Sequence, residues 1–189
     1  HEAVQHAPPC GAPNDITPPD PARATTLVQR IFGGRLRSRV TCHSCRHNSD
    51  TYDPVMDLSL DVRKGIHSVK QALEAFTAPE ELADKYRCDQ CHKSVNATKR
   101  FSIEQTPMVL TVHLKRFGIF GNKINKPISY AERLQLGRYM SERTADTDAY
   151  RLYAIVHHYG SGPPLGHYVG SVRTREGRWL RMVDSSEAS

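Results

Sequence analysis

The chain has 189 residues, of which 38% are hydrophobic and 24% charged, values typical of a folded protein with a sizeable core. Its formal net charge is +6, but the Lys and Arg residues are dispersed, which disfavours a dedicated nucleic-acid site. No apolar run approaches the roughly 20 residues of a membrane span, and no hydrophobic signal segment is present. Because the sequence starts at His1 without an initiator Met, we expect it to be part of a longer protein.

The first third of the chain predicts loops, one short helix and strands. Residues 1–23 are rich in Pro and Ala and predict a loop or linker. Residues 24–32, "ATTLVQRIF", predict a short helix that ends at Gly33 and Gly34. Residues 35–61 alternate in the β period on both sides of a tight cysteine pair, so we expect strands there.

One stretch, residues 67–82 ("HSVKQALEAFTAPEEL"), has the clearest helical pattern. Ser68 is a candidate N-cap, because its hydroxyl can accept from a backbone N–H of the first turn. Val69, Leu73 and Phe76 are spaced so that they lie on one face. This pattern predicts a helix that packs its apolar stripe on the core.

The second half of the sequence is dominated by β patterns. Residues 107–117, "PMVLTVHLKRF", are nearly all apolar or β-branched and predict a buried central strand. Residues 118–130 carry the Gly and Pro punctuation of a turn or flexible loop. Residues 150–160, 166–174 and 178–184 predict three successive antiparallel strands. Together these elements predict a mixed α+β fold whose second half is largely sheet.

Four of the five cysteines form two Cys-x-x-Cys pairs, Cys42 with Cys45 and Cys88 with Cys91. Two such knuckles can place four thiolates around one zinc ion at about 2.3 Å. Disulfides are the alternative, but a chain without a secretion signal is expected where thiols stay reduced. A closed four-cysteine site is structural, so catalysis must lie elsewhere. The flanking histidines are expected to be bystanders: His43, His47 and His92.

From residue 24 onward the chain resembles the ubiquitin-specific protease family of deubiquitinating cysteine peptidases. The resemblance rests on stretches that stand in the family's order and in register with the cysteine spacing: "IFGGRLRSRVTCHSC", "SDTYDPVMDLSLDV", "ALEAFTAPEEL", "KYRCDQCHKSVNATKRFSI", "PMVLTVHLKRF" and "GHYVGSVRTREGRWLRMVD". The first two stretches look closest to the subgroup that includes the nucleolar deubiquitinase.

The resemblance implies a papain-like catalytic domain shaped like a hand, with a palm and zinc-tipped β fingers. Under this assignment residues 1–23 are a linker remnant of the thumb, which is otherwise missing. Residues 24–110 are mainly the fingers, with one structural zinc ion on the four cysteines. Residues 111–189 are the palm, which carries the His box.

The resemblance also assigns roles near the end of the chain. The "GHY" triplet matches the His box, which implies that His167 is the general base. The family implies a narrow channel for the C-terminal tail of ubiquitin, and the matching positions are His157 or His158 (the register is ambiguous by one), Gly166 and Tyr168. A small residue before the His lets the backbone pass close to the substrate, and the Tyr can wall the cleft.

Two departures from the family pattern concern catalysis. The Cys box that holds the nucleophile lies upstream of this sequence, and Cys10, set among prolines, is poorly placed to begin a helix that stabilises a thiolate. The slot of the third catalytic residue holds Val183, which cannot accept a hydrogen bond from an imidazole. The next residue, Asp184, is the candidate, although on a regular strand it would point to the opposite face.

The leading expectation is therefore a deubiquitinating thiol hydrolase that cleaves isopeptide or peptide bonds after the C-terminal Gly of ubiquitin. This chain would supply the base and the ubiquitin-gripping fingers but not the nucleophile, with ubiquitin and ubiquitinated proteins as partners in the nucleus, nucleolus or cytoplasm. One alternative is a pseudoenzyme or truncated product that binds ubiquitin without hydrolysing it. A second alternative, favoured only by the basic charge, is a zinc-dependent nucleic-acid-binding module.

Overall fold

The computed structural model describes residues 2–7, 26–63, 65–118, 122–142, 149–162 and 165–183, with backbone alone for 2–7 and 165. Within these ranges the chain forms helices α1 (Leu27–Phe32) and α2 (Val69–Phe76), one 3-10 turn (Gly137–Tyr139), and thirteen strands. The strands are β1 (Glu2–Ala7), β2 (Gly34–Cys42), β3 (Asn48–Val55), β4 (Leu58–Asp61), β5 (Glu80–Glu81), β6 (Tyr86–Arg87), β7 (Ser94–Val95), β8 (Ala97–Gln105), β9 (Leu110–Lys115), β10 (Arg133–Gln135), β11 (Ala149–Gly162), β12 (Leu165–Arg173) and β13 (Trp179–Met182).

The larger of the described sheets has the strand order β13-β12-β11-β1-β9-β4, and β10 also pairs with β11. Its pairs are antiparallel except for β4 with β9. Alternate residues of β9 are buried, as expected of a strand in the middle of the sheet. The buried core includes Leu60, Val62, Leu73, Val112, Leu114, Leu136 and Tyr150.

Residues 2–7 form a strand, and the expectation of a loop there was wrong. This strand, β1, pairs antiparallel with β9 on one side and β11 on the other. Its backbone N–H and C=O groups are satisfied by both neighbours, a tertiary effect that outweighs weak local propensity and the adjacent prolines. The rest of segment 1–23, including Cys10, lies outside the described residues, as does Asp184.

A second described sheet has four strands in the order β3-β2-β8-β5. The first cysteine pair lies at the end of β2 in this sheet. Strands β2 and β3 form one long antiparallel hairpin, and β2 pairs on its other side with β8. The short hairpin of β6 and β7 carries the second cysteine pair. The larger sheet, the four-stranded sheet, this short hairpin and the two described helices give the mixed α+β architecture that the sequence predicted.

Both predicted helices form. The hydroxyl of Thr26 caps α1 by accepting from the N–H of Gln29, and Ser68 caps α2 in the same way. Helix α2 buries Val69, Ala72 and Leu73, while Phe76 stacks on Phe101 at 5.5 Å between ring centroids. Among the described helices, none has the length and apolar character of a membrane span.

Candidate metal centre and histidine site

The two Cys-x-x-Cys turns have the same backbone hydrogen bonds. In the first turn the N–H of Cys42 donates to the carbonyl of His47 at 2.9 Å, and the N–H of Arg46 donates to the carbonyl of Cys42 at 3.0 Å. In the second turn Cys88 donates to Lys93 and His92 donates to Cys88, at the same offsets. The repeated pattern shows that each cysteine pair is held by its own closed turn.

Arg46 and His92 occupy equivalent positions, directly after the second cysteine of each pair. Their φ angles are +61° and +56°, so both adopt the left-handed conformation. This conformation reverses the chain and lets the second strand of each hairpin leave the turn. Sequence patterns gave no indication of it, because neither residue is a glycine.

The four cysteine sulfurs lie within 4.8 Å of one another. The Sγ atoms of Cys42 and Cys91 are 3.9 Å apart, and those of Cys45 and Cys88 are 3.7 Å apart. These separations are too long for a disulfide, so the sulfurs are unbonded thiols. Thiolates placed tetrahedrally at about 2.3 Å from a zinc ion are about 3.8 Å apart, so the described donor set fits zinc.

The ionisation of the sulfurs also fits a cation. The pKa of Cys42 is lowered to about 7, chiefly because the backbone N–H of Cys45 donates to its sulfur. The N–H of His47 likewise favours the thiolate of Cys45, but desolvation and the neighbouring sulfurs outweigh it and raise the pKa of Cys45 to about 12. Four crowded sulfurs resist joint ionisation, and a divalent cation at their centre would relieve that conflict.

The histidines beside the knuckles make contacts away from the sulfurs. The Nε2 atom of His43 lies 2.6 Å from the hydroxyl of Thr98 and 3.7 Å from a carboxylate oxygen of Glu81. In the described part of the chain, the four cysteines form the one cluster with metal-ligand geometry, and it includes no histidine. The bystander assignment of His43, His47 and His92 agrees with this arrangement.

His167 lies near the start of β12, half-buried, opposite Tyr159 of β11. The neighbouring strand β13 pairs with β12 up to Met182, and Val183 follows it with 58% of its surface exposed. The strand therefore ends beside β12 as the sequence predicted. The proposed partner Asp184 lies outside the described residues, so its pairing with His167 stays a prediction.

A second histidine, His158, is buried on the face of the β11–β12 hairpin opposite to His167. It pairs with Tyr168 across β11 and β12, and their ring centroids are 4.8 Å apart. Phe117 approaches the same imidazole edge-on at 5.5 Å. Neither ring nitrogen has a hydrogen-bond partner among the described residues, and burial lowers the pKa of His158.

Gly166 has a steric role that the sequence did not indicate. A Cβ atom built on Gly166 would lie 2.1 Å from Nε2 of His158 and 2.6 Å from the carbonyl oxygen of Tyr159. The glycine therefore makes room for the buried imidazole. The family resemblance explains this small residue by the approach of substrate, whereas the contact that the structure describes is with His158.

The four positions assigned to tail binding divide between two faces of the hairpin. Successive residues of a strand point to opposite faces, so Tyr168 shares a face with His158, and His167 shares the other face with His157. His157 packs beside Tyr159 at 6.4 Å between ring centroids. The two histidines between which the family register was ambiguous, His157 and His158, therefore lie in different surroundings. His158 is the one next to Gly166 and Tyr168.

Lys123 is a contributor that the sequence analysis missed. Its ammonium donates to the carbonyl oxygens of His158, at 2.6 Å, and Gly160, at 3.0 Å. These carbonyls lie where the pairing of β11 with β12 shifts register. Lys123 lies in a loop with no periodic pattern, and His158 is 35 residues further along the chain. No local sequence pattern therefore predicts the contact.

The sequence profile of the family described as "Ubiquitin carboxyl-terminal hydrolase" matches residues 14–188. Among curated proteins, Ubiquitin carboxyl-terminal hydrolase 42 of Homo sapiens is 45% identical over 86% of this chain. Ubiquitin carboxyl-terminal hydrolase 19 of Arabidopsis thaliana is 43% identical over 90% of it. The chain spans only 12% and 26% of the length of these two relatives.

Solved structures show the same likeness. The SAGA DUB module of Ubp8, Sgf11, Sus1 and Sgf73 bound to monoubiquitin contains a chain that superposes with a TM-score of 0.79 at 32% identity. The match covers 88% of this chain and 38% of that one. A second structure of the module, bound to ubiquitin aldehyde, matches with a TM-score of 0.78 at 30% identity.

Proposed function

Because the chain belongs to the ubiquitin carboxyl-terminal hydrolase family, we propose that it is part of a deubiquitinating cysteine peptidase. The reaction is hydrolysis of the isopeptide or peptide bond after the C-terminal Gly of ubiquitin. The observation that carries the proposal is the structural likeness, over 88% of the chain, to a chain in a module bound to monoubiquitin. Ubiquitin and ubiquitinated proteins are the partners that follow from it.

In this proposal His167 is the general base and acid. It holds a cysteine from outside these 189 residues as thiolate, and the thiolate attacks the carbonyl carbon of the scissile bond. The proton then passes from His167 to the leaving amine, and His167 next deprotonates the water that hydrolyses the thioester. Asp184 accepts a hydrogen bond from the imidazole and keeps it in the productive tautomer.

The tail of ubiquitin is proposed to pass over Gly166 and Tyr168. Tyr168 is 44% exposed and Gly166 is also exposed, so both present surface to a substrate. The ring nitrogens of His158 are shielded from solvent, so His158 acts from behind by supporting these two residues. His157 lies on the face of His167 and borders the reacting centre instead.

The four-cysteine cluster is proposed to hold one structural zinc ion. Cys42 and Cys88 are fully buried, and the hairpins that carry them add little apolar core of their own. Binding free energy at such a site is folding free energy, so the ion stabilises the tip of the smaller sheet. Four reduced thiols also favour an intracellular location, in the nucleus or the cytoplasm.

A catalytically inactive ubiquitin-binding protein is the second candidate. The observation that favours it is Val183, whose side chain cannot accept a hydrogen bond from an imidazole. Loss of the orienting carboxylate costs about four orders of magnitude in turnover in serine proteases. Unless Asp184 supplies the orienting carboxylate that Val183 lacks, the site binds ubiquitin without turnover.

A ubiquitin probe with a reactive C-terminal ester separates the two candidates in the full-length protein. The peptidase proposal expects covalent labelling of one cysteine, lost in a His167→Ala variant. Absence of labelling together with retained ubiquitin binding would establish the inactive binder. Absence of both labelling and binding would contradict both candidates.

A further inference from the structure

A groove with an excess of arginine lies at the end of the larger sheet far from His167. It occupies about 660 Å³ and is bordered by β10, the start of β11, the end of β12 and the turn before β13. Arg173 stands six residues after His167 on β12, which is about 20 Å at 3.3 Å per residue. The groove is therefore separate from the proposed catalytic centre.

The groove forms where two strands pair in turn with the same edge of β11. Strand β12 leaves β11 at the pair of Ala154 with Val172, and β10 joins at the pair of Arg133 with Arg151. Between these two pairs the N–H of Leu152 donates to the carbonyl of Glu132 at 2.8 Å. The backbone is thus satisfied, and the side chains at the junction decide what the groove can bind.

Those side chains are predominantly positive. Arg133 and Arg151 stand directly opposite each other, an arrangement that is destabilising for like charges on neighbouring strands. Arg173 and Arg175 add two more guanidinium groups at the other wall. The acidic side chains among the described residues here are Glu132 and Glu176, so arginines outnumber carboxylates by four to two.

Glu132 fixes the arginines rather than neutralising the groove. One of its oxygens accepts from Nε and NH2 of Arg151, at 3.1 and 3.0 Å, and also from NH1 of Arg173. The Arg173 side chain is only 16% exposed, and a Cβ atom built on Gly177 of the adjacent turn would lie 3.5 Å from its NH2. Two forks are therefore held in place before any ligand arrives, which reduces the entropy lost on binding.

Other arginines of the described chain are used differently. Arg39 binds Asp50 through two hydrogen bonds of 2.7 and 2.6 Å, and both Arg63 and Arg138 have carboxylate partners of their own. These pairs are balanced, one acid to one base. The groove stands out because two arginines, Arg151 and Arg173, share the one carboxylate of Glu132, so it retains a demand for negative charge.

We propose that this groove binds an acidic peptide segment of a partner protein. Guanidinium forks recognise carboxylates in bidentate geometry, and the volume lies within the range of specific ligand sites. Tyr153, which is half-buried, supplies apolar wall area for the rest of such a segment. A nucleic-acid strand fits less well, because the Lys and Arg residues of the sequence are dispersed and form no basic run that would follow a continuous phosphate backbone.

Fluorescence anisotropy with a labelled peptide of alternating Glu and Gly tests the proposal on the full-length protein. We expect binding at low ionic strength that weakens with added salt, and no binding of the Gln counterpart. The double variant Arg133→Gln/Arg175→Gln should weaken binding about tenfold or more, since it replaces two guanidinium donors of charge-assisted hydrogen bonds with neutral amides. Both side chains are exposed, so the fold should persist.

The matched control is Arg30→Gln/Lys70→Gln, which removes the same charge from exposed positions elsewhere. It should change the affinity less than about twofold if binding is local. Equal weakening in both double variants, or no binding of the Glu peptide, would overturn the proposal. An oligouridylate that binds more tightly than the peptide and depends on the same arginines would also overturn it, in favour of nucleic acid. Because ubiquitin is absent from the assay, failure here leaves the peptidase proposal untouched.

Discussion

Gly166 lies so close to His158 that there is no room for a side chain at position 166. Nε2 of His158 lies where a Cβ atom of residue 166 would be, and the carbonyl of Tyr159 blocks the other approach. The ring in turn supports Tyr168, which presents exposed surface beside His167. A change of one methyl group at this position is thus transmitted to the residues that flank the proposed base.

We expect Gly166→Ala to destabilise the chain by about 1–3 kcal/mol, because the added methyl forces the imidazole or the strand to move. The measurement is the free energy of unfolding in denaturant. The matched control is Gly170→Ala on the same strand, whose Cβ would meet Met182 at an ordinary 3.5 Å. Equal losses of stability in the two variants would show that the contact with His158 is unimportant.

The buried imidazole also predicts a pH dependence. Burial, together with the nearby charge of Lys123, lowers the pKa of His158, so the folded state keeps the ring neutral. As the pH falls through the ordinary value of about 6.5, the unfolded chain takes up a proton that the folded chain does not. The free energy of unfolding should therefore decrease from pH 7 to pH 5.

The variant His158→Phe should reduce that decrease, because it removes the group whose protonation favours unfolding. His157→Phe is the control, since it leaves the buried ring in place on the other face of the hairpin. Thermal unfolding followed across the pH range gives both slopes. If His158→Phe keeps the slope of the parent chain, another group is responsible.

At the scale of elements, the sequence predicted the parts whose pattern is local. The Ser68 cap and the stripe of Val69 and Leu73 predicted α2, and a nearly continuous run of apolar and β-branched residues predicted β9. The cysteine spacing predicted a four-sulfur cluster, because two short turns leave few ways to arrange four thiols. Each of these signals lies within a few residues of the element that it predicts.

The features that escaped prediction depend on distant partners. Strand β1 forms because β9 and β11 offer it two edges, although "EAVQHA" has little β pattern. The role of Gly166 depends on His158 of the neighbouring strand, and Lys123 donates to carbonyls 35 and 37 residues away. No pattern along the chain encodes these contacts, because they exist only after the strands have come together.

The cysteine turns yield a prediction at this scale. His92 has a φ of +56°, a conformation that costs a side chain about 1–2 kcal/mol and a β-branched one more. We expect His92→Gly to keep the stability of the parent chain and His92→Val to lower it, as measured by thermal unfolding. Both variants should retain one zinc per chain by metal analysis, because the ligands are the four cysteines.

Two controls bracket the metal measurement. Cys88→Ser should lose the zinc and much of the thermal stability. Cys10→Ser, which is not part of a Cys-x-x-Cys pair, should lose neither. Loss of zinc from His92→Gly would mean that a histidine joins the ligand set. Unchanged zinc content in Cys88→Ser would refute the assignment of the cluster.

At the scale of the whole molecule, the chain combines two separable surfaces with different chemistry. The histidine hairpin at one end of the larger sheet is proposed to complete a peptidase site with a cysteine from outside the chain. The arginine groove at the other end of β12 is proposed to hold an acidic segment of a partner. The smaller sheet carries the cysteine cluster at its tip and is proposed to grip ubiquitin.

The most direct measurement is hydrolysis of a fluorogenic ester or amide of ubiquitin by the full-length protein. We expect turnover to fall by about a thousandfold or more in His167→Ala, because this residue is the general acid of the first step and the general base of the second. The control His67→Ala, at an exposed position outside the hairpin, should retain most of the activity. Turnover in His167→Ala within threefold of the parent would contradict the assignment of His167 as the catalytic base.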